Sequence, residues 1–510
     1  MDTLQLYLAL VTHLFVLQQL LVSTAANIGA IASGMTVGFS AVALPAMQAI
    51  SHEPRITDEQ ASWIASLTAF GSPAGSLFVG PLLDRLGRKR TMLLVNTPAV
   101  LGWLLISTSY QPIFMYQLFL GRFLTGLAAG LVGAPAVVYV SEVVDKSLRG
   151  VVVTWASIGV SFGTLLVYLL GALLQDNWRA VAGISACVPI LAILAIWFLV
   201  PESPVWLASR GRVEEAERNM RFVRNLGQDD KLPEELQEEL ETMIHNNEER
   251  SKTNSDGWMD TLRYLKRPEA YKPLLIMNAL FFFQQFSGIF VVMFYAVYFV
   301  QDTGVNFDGY LGSVMIGATR FVMSIVVSYA SKSMGRRVLC HASGTGMTIS
   351  MTALALYMGM SHDGVIEAAK WHWFPIVALV VYILTSTIGF MNLPFAMCGE
   401  VFPTRIRGSG VGFTTCNAAI FCFIVVKIFP EIRTSWGYQN IFTFFATISL
   451  IGTLVMYKFL PETQGKSLQE IEDSFKKAPK KTLQYVPEEP SSKDSNKKLL
   501  LVPDDVIIKK

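Results

Sequence analysis

At 510 residues, with 52% apolar and 16% charged side chains, the chain is too apolar for a string of soluble domains. A formal net charge of +2 gives no basis for a nucleic-acid partner. The charges sit in blocks that leave long uncharged windows, and a bilayer core needs roughly 20 apolar residues per spanning helix. Such windows start near 20, 60, 91, 112, 150, 179, 273, 309, 337, 373, 409 and 438. They predict an all-α membrane protein with about twelve transmembrane helices. The first apolar run, Leu4 to Leu21, lacks a basic flank and continues into the next window, so a cleaved signal is not expected.

Lys and Arg distribution sets the expected orientation. Arg85, Arg88, Lys89, Arg90, Lys146 and Arg149 fall between spans on one side, with the basic residues of 201–272, Arg336, Arg337, Arg405, Arg407 and the tail. The opposite loops hold Arg55, Arg179, Lys370 and Arg433. Both termini are therefore expected in the cytoplasm, with the plasma membrane as the default location. Cys187, Cys340, Cys398, Cys416 and Cys422 lie in or at spans without metal-ligand spacing and read as packing residues. No nucleophile–base or metal cluster is visible, so neither an enzyme nor a cofactor is expected. "QGKSL" (464–468) lacks the glycine and the strand of a phosphate-binding loop.

An internal repeat organises the chain. "SEVVDKSLRG" (141–150) aligns with "GEVFPTRIRG" (399–408), "DRLGRKR" (84–90) with "KSMGRRV" (332–338), and "PESP" (201–204) with "PETQ" (461–464). Three near-equal offsets in the same order indicate a duplicated six-helix unit. The expected units are an N-terminal bundle (20–200), a cytoplasmic helical linker (201–272), a C-terminal bundle (273–460) and a tail (461–510), disordered after about 476. In the linker, Leu232, Leu236, Leu240 and Met243 share one helical face. Two parallel six-helix halves around a central cavity are a transporter architecture. The repeated charges Asp84, Arg85, Arg88, Glu142, Arg149, Arg336, Arg337, Glu400 and Arg407 suit a conformational switch, pairing across the inner faces of the halves in one state and parting in the other. Lys332 stands where the first half has Asp84, so the switch is expected to be asymmetric.

Together "GPLLDRLGRKR" (80–90), "GRFLTGLAAG" (121–130), "YVSEVVDKSLRG" (139–150), "PESPVWL" (201–207), "QQFSG" (284–288), "GRR" (335–337), "GEVFPTRIRG" (399–408) and "PETQGKSLQEIE" (461–472) resemble the sugar porters of the major facilitator superfamily. The first helix and "IRGSG" resemble insect trehalose and hexose facilitators. The resemblance implies two pseudo-symmetric bundles, alternating access, a small-molecule solute bound midway through the bilayer, and action as a monomer.

Gln284 and Gln285 match the family's sugar-binding pair, and on an unbroken helix Gln284 and Gly288 share a face. An unsatisfied amide in hydrocarbon costs several kcal/mol, so these side chains face a wet cavity or a neighbouring helix. The rest of the family's site diverges. Phe290 replaces an asparagine, Ser157 a glutamine and Phe395 a tryptophan, while Ala418 and Ala419 replace an Asn-Trp pair, leaving Asn417 one place off. Phe294 and Tyr295 keep the outer-gate aromatics. Arg320 stands where the family has an asparagine, with no acidic residue placed mid-span to pair with it. Ser40 occupies the first-helix position that is acidic in proton-driven members, which predicts a facilitator. The reading is facilitated diffusion of trehalose or a hexose. A carrier of another solute, such as an organic anion, and a non-transporting sensor remain alternatives.

Overall fold

The computed structural model describes residues 3–49, 55–110, 112–145, 148, 151–175, 177–226, 236–238, 240–242, 266–303, 307–331, 333–363, 371–403, 406–466 and 468–476. Arg149, Lys332, the linker residues Leu232 and Met243, and the tail beyond 476 lie outside them.

The first half contains α1 (Thr3–Gln48), α2 (Asp58–Leu86), α3 (Arg88–Ser107), α4 (Phe114–Val143), α5 (Trp155–Leu173) and α6 (Trp178–Leu199). Two short linker helices follow, α7 (Pro204–Ser209) and α8 (Val213–Val223). The second half contains α9 (Pro268–Phe286), α10 (Ile289–Phe294), α11 (Ala296–Asp302), α12 (Gly309–Ala330), α13 (Arg336–His362), α14 (Phe374–Ile388), α15 (Leu393–Val401) and α16 (Arg407–Phe459), and α17 (Leu468–Phe475) ends the described chain.

Local chemistry sets the helix ends. Thr57 and Gln60 form a capping box at the start of α2. Asn177 and Asp308 cap α6 and α12 through their side chains. Pro268 opens α9, where its missing N–H costs nothing. Eight helical segments among the described residues are long and apolar enough to cross a membrane. One of them is the 53-residue α16, which bends at Gly437, where φ is 73°.

Within the first half, α2 packs on α4, α1 on α5 and α6, and α3 on α4 and α6. Within the second, α13 packs on α14 and α16, α9 on α16, and α12 on α14. The halves meet along two long seams, α5 against α12 and α2 against α16, and α1 closes against α10 and α11. This last contact positions the site, because α10 and α11 are the far end of the broken rod that begins with the two glutamines.

Candidate functional site

The rod α9–α10–α11 breaks immediately after Gln284-Gln285. Gly288 adopts φ +94°, and a Cβ there would lie 2.6 Å from the Phe445 ring. Both the left-handed backbone and the close approach require glycine. The break corrects the expected helical face: Gln284 and Gly288 do not belong to one continuous helix. Tyr382 Oη donates to the freed Ser287 carbonyl at 2.8 Å. This satisfies one of the acceptors that the break releases into hydrocarbon.

The two glutamines part company. Gln284 is fully buried and its Nε2 donates to the carbonyls of Phe390 (2.7 Å) and Met391 (2.9 Å). It therefore ties α9 to the irregular turn between α14 and α15 rather than facing a cavity. Gln285 Nε2 donates to Gln284 Oε1 at 3.2 Å, while Gln285 Oε1 is buried without a partner. An unmet buried acceptor costs about 1–3 kcal/mol, so Gln285 Oε1 is the atom of the pair with hydrogen-bonding capacity to spare.

The other sequence-derived positions make separate contacts. Ser157 donates to Asn392 Oδ1 at 3.0 Å, across the halves. Asn417 Nδ2 donates to Asn278 Oδ1 at 2.8 Å, joining α16 to α9. Phe290 is only partly buried and packs against the core, beside the break rather than among these polar groups. Phe395 is half exposed and meets Phe281 edge-on at 5.2 Å. Ala418 is buried, as a residue replacing a polar ligand would be.

Arg320 lies in the α5–α12 seam with 6% of its surface exposed. Its Nη1 donates to Thr164 Oγ1 at 3.0 Å, and no Asp or Glu among the described residues pairs with it. A mid-span arginine costs roughly 2.5–3.5 kcal/mol even on the lenient insertion scale. Arg122 bears the same charge but is fully satisfied: it donates to Ile64 O (2.9 Å), Thr36 O (3.2 Å) and Ser40 Oγ (2.5 Å), and stacks over Phe39. It staples α4 to α1 and α2.

At the end where α1 meets α10 and α11, the halves are sealed together. Tyr298 Oη hydrogen-bonds Gln48 Oε1, and Tyr168 Oη donates to Met293 O at 2.6 Å. Phe294 and Tyr295 are buried, with Tyr295 Oη on Val426 O at 3.1 Å. Lys427 Nζ donates to Ser62 Oγ at 2.6 Å and lies 4.5 Å from the Trp63 ring centre. This lysine escaped the sequence reading, although it is the only charge between residues 408 and 430.

At the opposite end each half builds the same joint. Arg88 Nη2 meets Glu142 Oε1 at 2.6 Å, and Ser203 Oγ donates to Glu142 Oε2 at 2.6 Å. In the second half Arg336 Nη2 meets Glu400 Oε1 at 2.9 Å, and Thr463 Oγ1 donates to Glu400 Oε2 at 2.6 Å. Glu202 accepts the backbone N–H of Arg88 and Lys89; Glu462 accepts those of Arg336 and Arg337. Each carboxylate thus holds the bare N-terminus of α3 or α13. A Cβ on Gly87 or Gly335 would sit 2.4 or 2.6 Å from that carboxylate.

In this state the Arg88–Glu142 and Arg336–Glu400 ion pairs run within each half, because both partners are set by one packed corner; pairing across the halves is expected of the opposite state. Arg407 turns back onto Phe402 O, and Arg337 Nε donates to Leu460 O. Asp84 and Arg85 are exposed; Asp84 takes part through its carbonyl, which accepts from Trp206 Nε1 and Arg210 Nη2. Glu202 and Glu462 were visible in the sequence only as an aligned "PES/PET", with no role assigned.

The comparisons agree with this architecture. A family model described as "Sugar (and other) transporter" matches residues 21–475. Relatives include the facilitated trehalose transporter Tret1 of Aedes aegypti, 31% identical over 92% of this chain and 56% of that one. Another is Tret1 of Bombyx mori, 31% identical over 91% of this chain and 88% of that one. The chain spans little more than half the length of the first curated relatives it matches. Among solved structures, the inward open conformation of the xylose transporter XylE from E. coli superposes with a TM-score of 0.70. That match has 19% identity and covers 89% of this chain and 98% of that one. A XylE complex with 6-bromo-6-deoxy-D-glucose also gives 0.70, at 20% identity, covering 90% and 99%. The fold is that of the major facilitator superfamily, and the chain belongs to the sugar transporter family.

Proposed function

We propose that the protein is a facilitative carrier that moves a sugar, such as trehalose or a hexose, by alternating access. The observation that carries this reading is the contrast between the two ends. Cross-half contacts seal the outer end, whereas the duplicated inner joints stay within their own halves, with cross-half hydrogen bonds Thr154–Ser328 and Ser157–Asn392 along the α5 seam. That arrangement fits two rigid bundles rocking about a central site, caught facing inward. Family membership and the relatives' names support a sugar as the solute.

The full reading includes twelve crossings: the eight apolar segments with α16 counted twice at Gly437, plus α2, the α9–α11 rod and α13. It includes bundles at 20–200 and 273–460, termini in the cytoplasm, the plasma membrane as location, and a functional monomer. Gln285, Ser157, Asn417 and Arg320 contact the solute; Phe290 and Phe395 shape its apolar wall. Phe294 and Tyr295 form the outer gate, and the paired charges of the inner joints fix the moving bodies. Uniport follows from Arg122 meeting the Ser40 hydroxyl rather than a carboxylate, which leaves no proton carrier at that point.

The test is counterflow in proteoliposomes with labelled trehalose and glucose. The expected result is transient accumulation that does not change when the proton gradient is collapsed. Saturable binding with no flux of either sugar would replace the carrier with a sensor.

A further inference from the structure

Three cations stand inside the spans of the described chain, and their surroundings differ. Arg122 uses all three guanidinium nitrogens on protein acceptors. Lys427 has the Ser62 hydroxyl and the Trp63 face. Arg320 has one hydrogen bond, to the hydroxyl of Thr164. Its Nε and Nη2 are not among the buried side-chain atoms that lack partners. These two donors, side by side on a planar fork, have no protein acceptor among the described residues and keep only a small accessible surface.

That fork lies in the seam where solute would bind if the carrier reading holds, since Thr164 is on α5 two turns from Ser157. Among the other positions that the sequence marks for the solute, Phe290, Phe395 and Ala418 offer no hydrogen-bonding side chain. The site has fewer groups for sugar hydroxyls and one group suited to an anion. A guanidinium fork matches a carboxylate in bidentate geometry, and a charge-assisted pair is about twice as strong as a neutral one.

Resting on the carrier reading, we infer that Arg320 selects a solute bearing a carboxylate, a sugar acid of the hexuronate class, over neutral hexoses and disaccharides. Thr164 fixes one edge of the guanidinium and leaves the other edge for the carboxylate. The buried Gln285 Oε1 accepts from a ring hydroxyl. With uniport, each hexuronate carried moves one negative charge across the membrane.

The experiment uses the full chain in proteoliposomes, with labelled glucose counterflow competed by glucuronate, trehalose, unlabelled glucose and lactate. A potential-sensitive dye reads charge movement. The inference expects glucuronate to compete at least about tenfold better than glucose and to generate a potential when its gradient alone drives flux. Arg320→Gln should lower the glucuronate-to-glucose preference by about 10- to 100-fold, whatever overall rate remains, and Arg320→Lys should restore part of it. Equal competition by glucuronate and glucose in the unaltered protein, where folding of a variant is not at issue, would overturn the inference and leave sugar transport standing. Lactate competing as well as glucuronate would overturn the sugar-acid assignment. No flux of any sugar, neutral or acidic, would remove the carrier reading and the inference together.

Discussion

Arg122 donates through Nη2 to the hydroxyl of Ser40 at 2.5 Å, with no carboxylate between them. A hydroxyl satisfies the guanidinium but does not titrate in the physiological range. Ser40→Asp places a carboxylate at this point. Arg122 would favour its charged form, and each reorientation of the bundles that separates the two would favour proton uptake. The expected outcome is sugar flux that rises as the outside is acidified and drives uphill accumulation. The check is uptake under an imposed pH gradient, alongside Ser40→Ala, which should remain insensitive to that gradient.

The adjacent glutamines should respond differently to truncation. Gln284→Ala strips the Phe390 and Met391 carbonyls of their donor. With about 1–3 kcal/mol lost per unmet buried group, the melting temperature should fall by several degrees. Gln285→Ala removes an acceptor that the protein itself leaves unmet, together with one long donation to Gln284 Oε1. Its stability should fall less than that of Gln284→Ala, which loses two shorter bonds, while KM rises about 3- to 10-fold. Thermal melting and counterflow on the two variants separate these outcomes, and equal destabilisation would count against the division.

Much of this was legible in the sequence because it is written in period and charge. Uncharged windows pointed to the apolar helices, and three aligned motifs to the paired joints of α3 and α13. The break after Gln285 was not legible, since "QQFSGIF" is as apolar as a continuous helix. Only the backbone at Gly288 and the facing Phe445 show why the rod stops there. Pairing was also beyond reach, because Glu142 and Glu400 carry the same charge whichever half supplies the arginine. The packing of α3 on α4 and the approach of Arg336 at the start of α13 to Glu400 decide it. Arg320 was found because charge inside a span is conspicuous. Lys427 was equally conspicuous and was overlooked for lying near the end of a long window.

Pairing within halves can be measured as coupling. A double-mutant cycle of Arg88→Gln with Glu142→Gln should give an interaction energy of about 1–2 kcal/mol in thermal unfolding, as part-buried charged partners allow. The cycle of Arg336→Gln with Glu400→Gln should give somewhat less, because Glu400 is more exposed, with 31% of its side chain accessible. The cross-half cycle of Arg88→Gln with Glu400→Gln should be near zero. A cross-half coupling as large as the others would restore ion pairs between the bundles.

Glu462 carries a pH signature. Burial alone would raise its carboxyl, but backbone N–H groups of Gln464, Arg336, Arg337 and Thr463 donate to it and hold it below the ordinary carboxylate value. A group whose folded pKa is depressed lends stability above its unfolded pKa and loses it as pH falls through the folded one. The α13 joint should therefore keep its full contribution at neutral pH and weaken only on the acid side of the usual glutamate range. Melting temperatures from pH 7 down to pH 3 check this. Glu462→Gln should melt lower at pH 7 and converge with the unaltered protein in acid.

Lys427 bridges α16 to α2 at the outer end, through Ser62 and Trp63. Replacing it with methionine keeps the apolar stem and removes both the hydrogen bond and the cation–π contact, together worth about 1–2 kcal/mol. That loss acts only on the outer-closed state, since the contact spans the two bodies that part when the outer end opens. An energy of about 1.4 kcal/mol shifts a two-state equilibrium tenfold. Lys427→Met should therefore raise amide hydrogen exchange across α10 and α11, which are clamped to α1 in the closed state, by about tenfold. Exchange in the α3 and α13 joints, which move as parts of their own halves, should stay as it was. Unchanged exchange at residues 289–302 would show that the seal is carried by the tyrosines alone, with Lys427 a passive member of the seam.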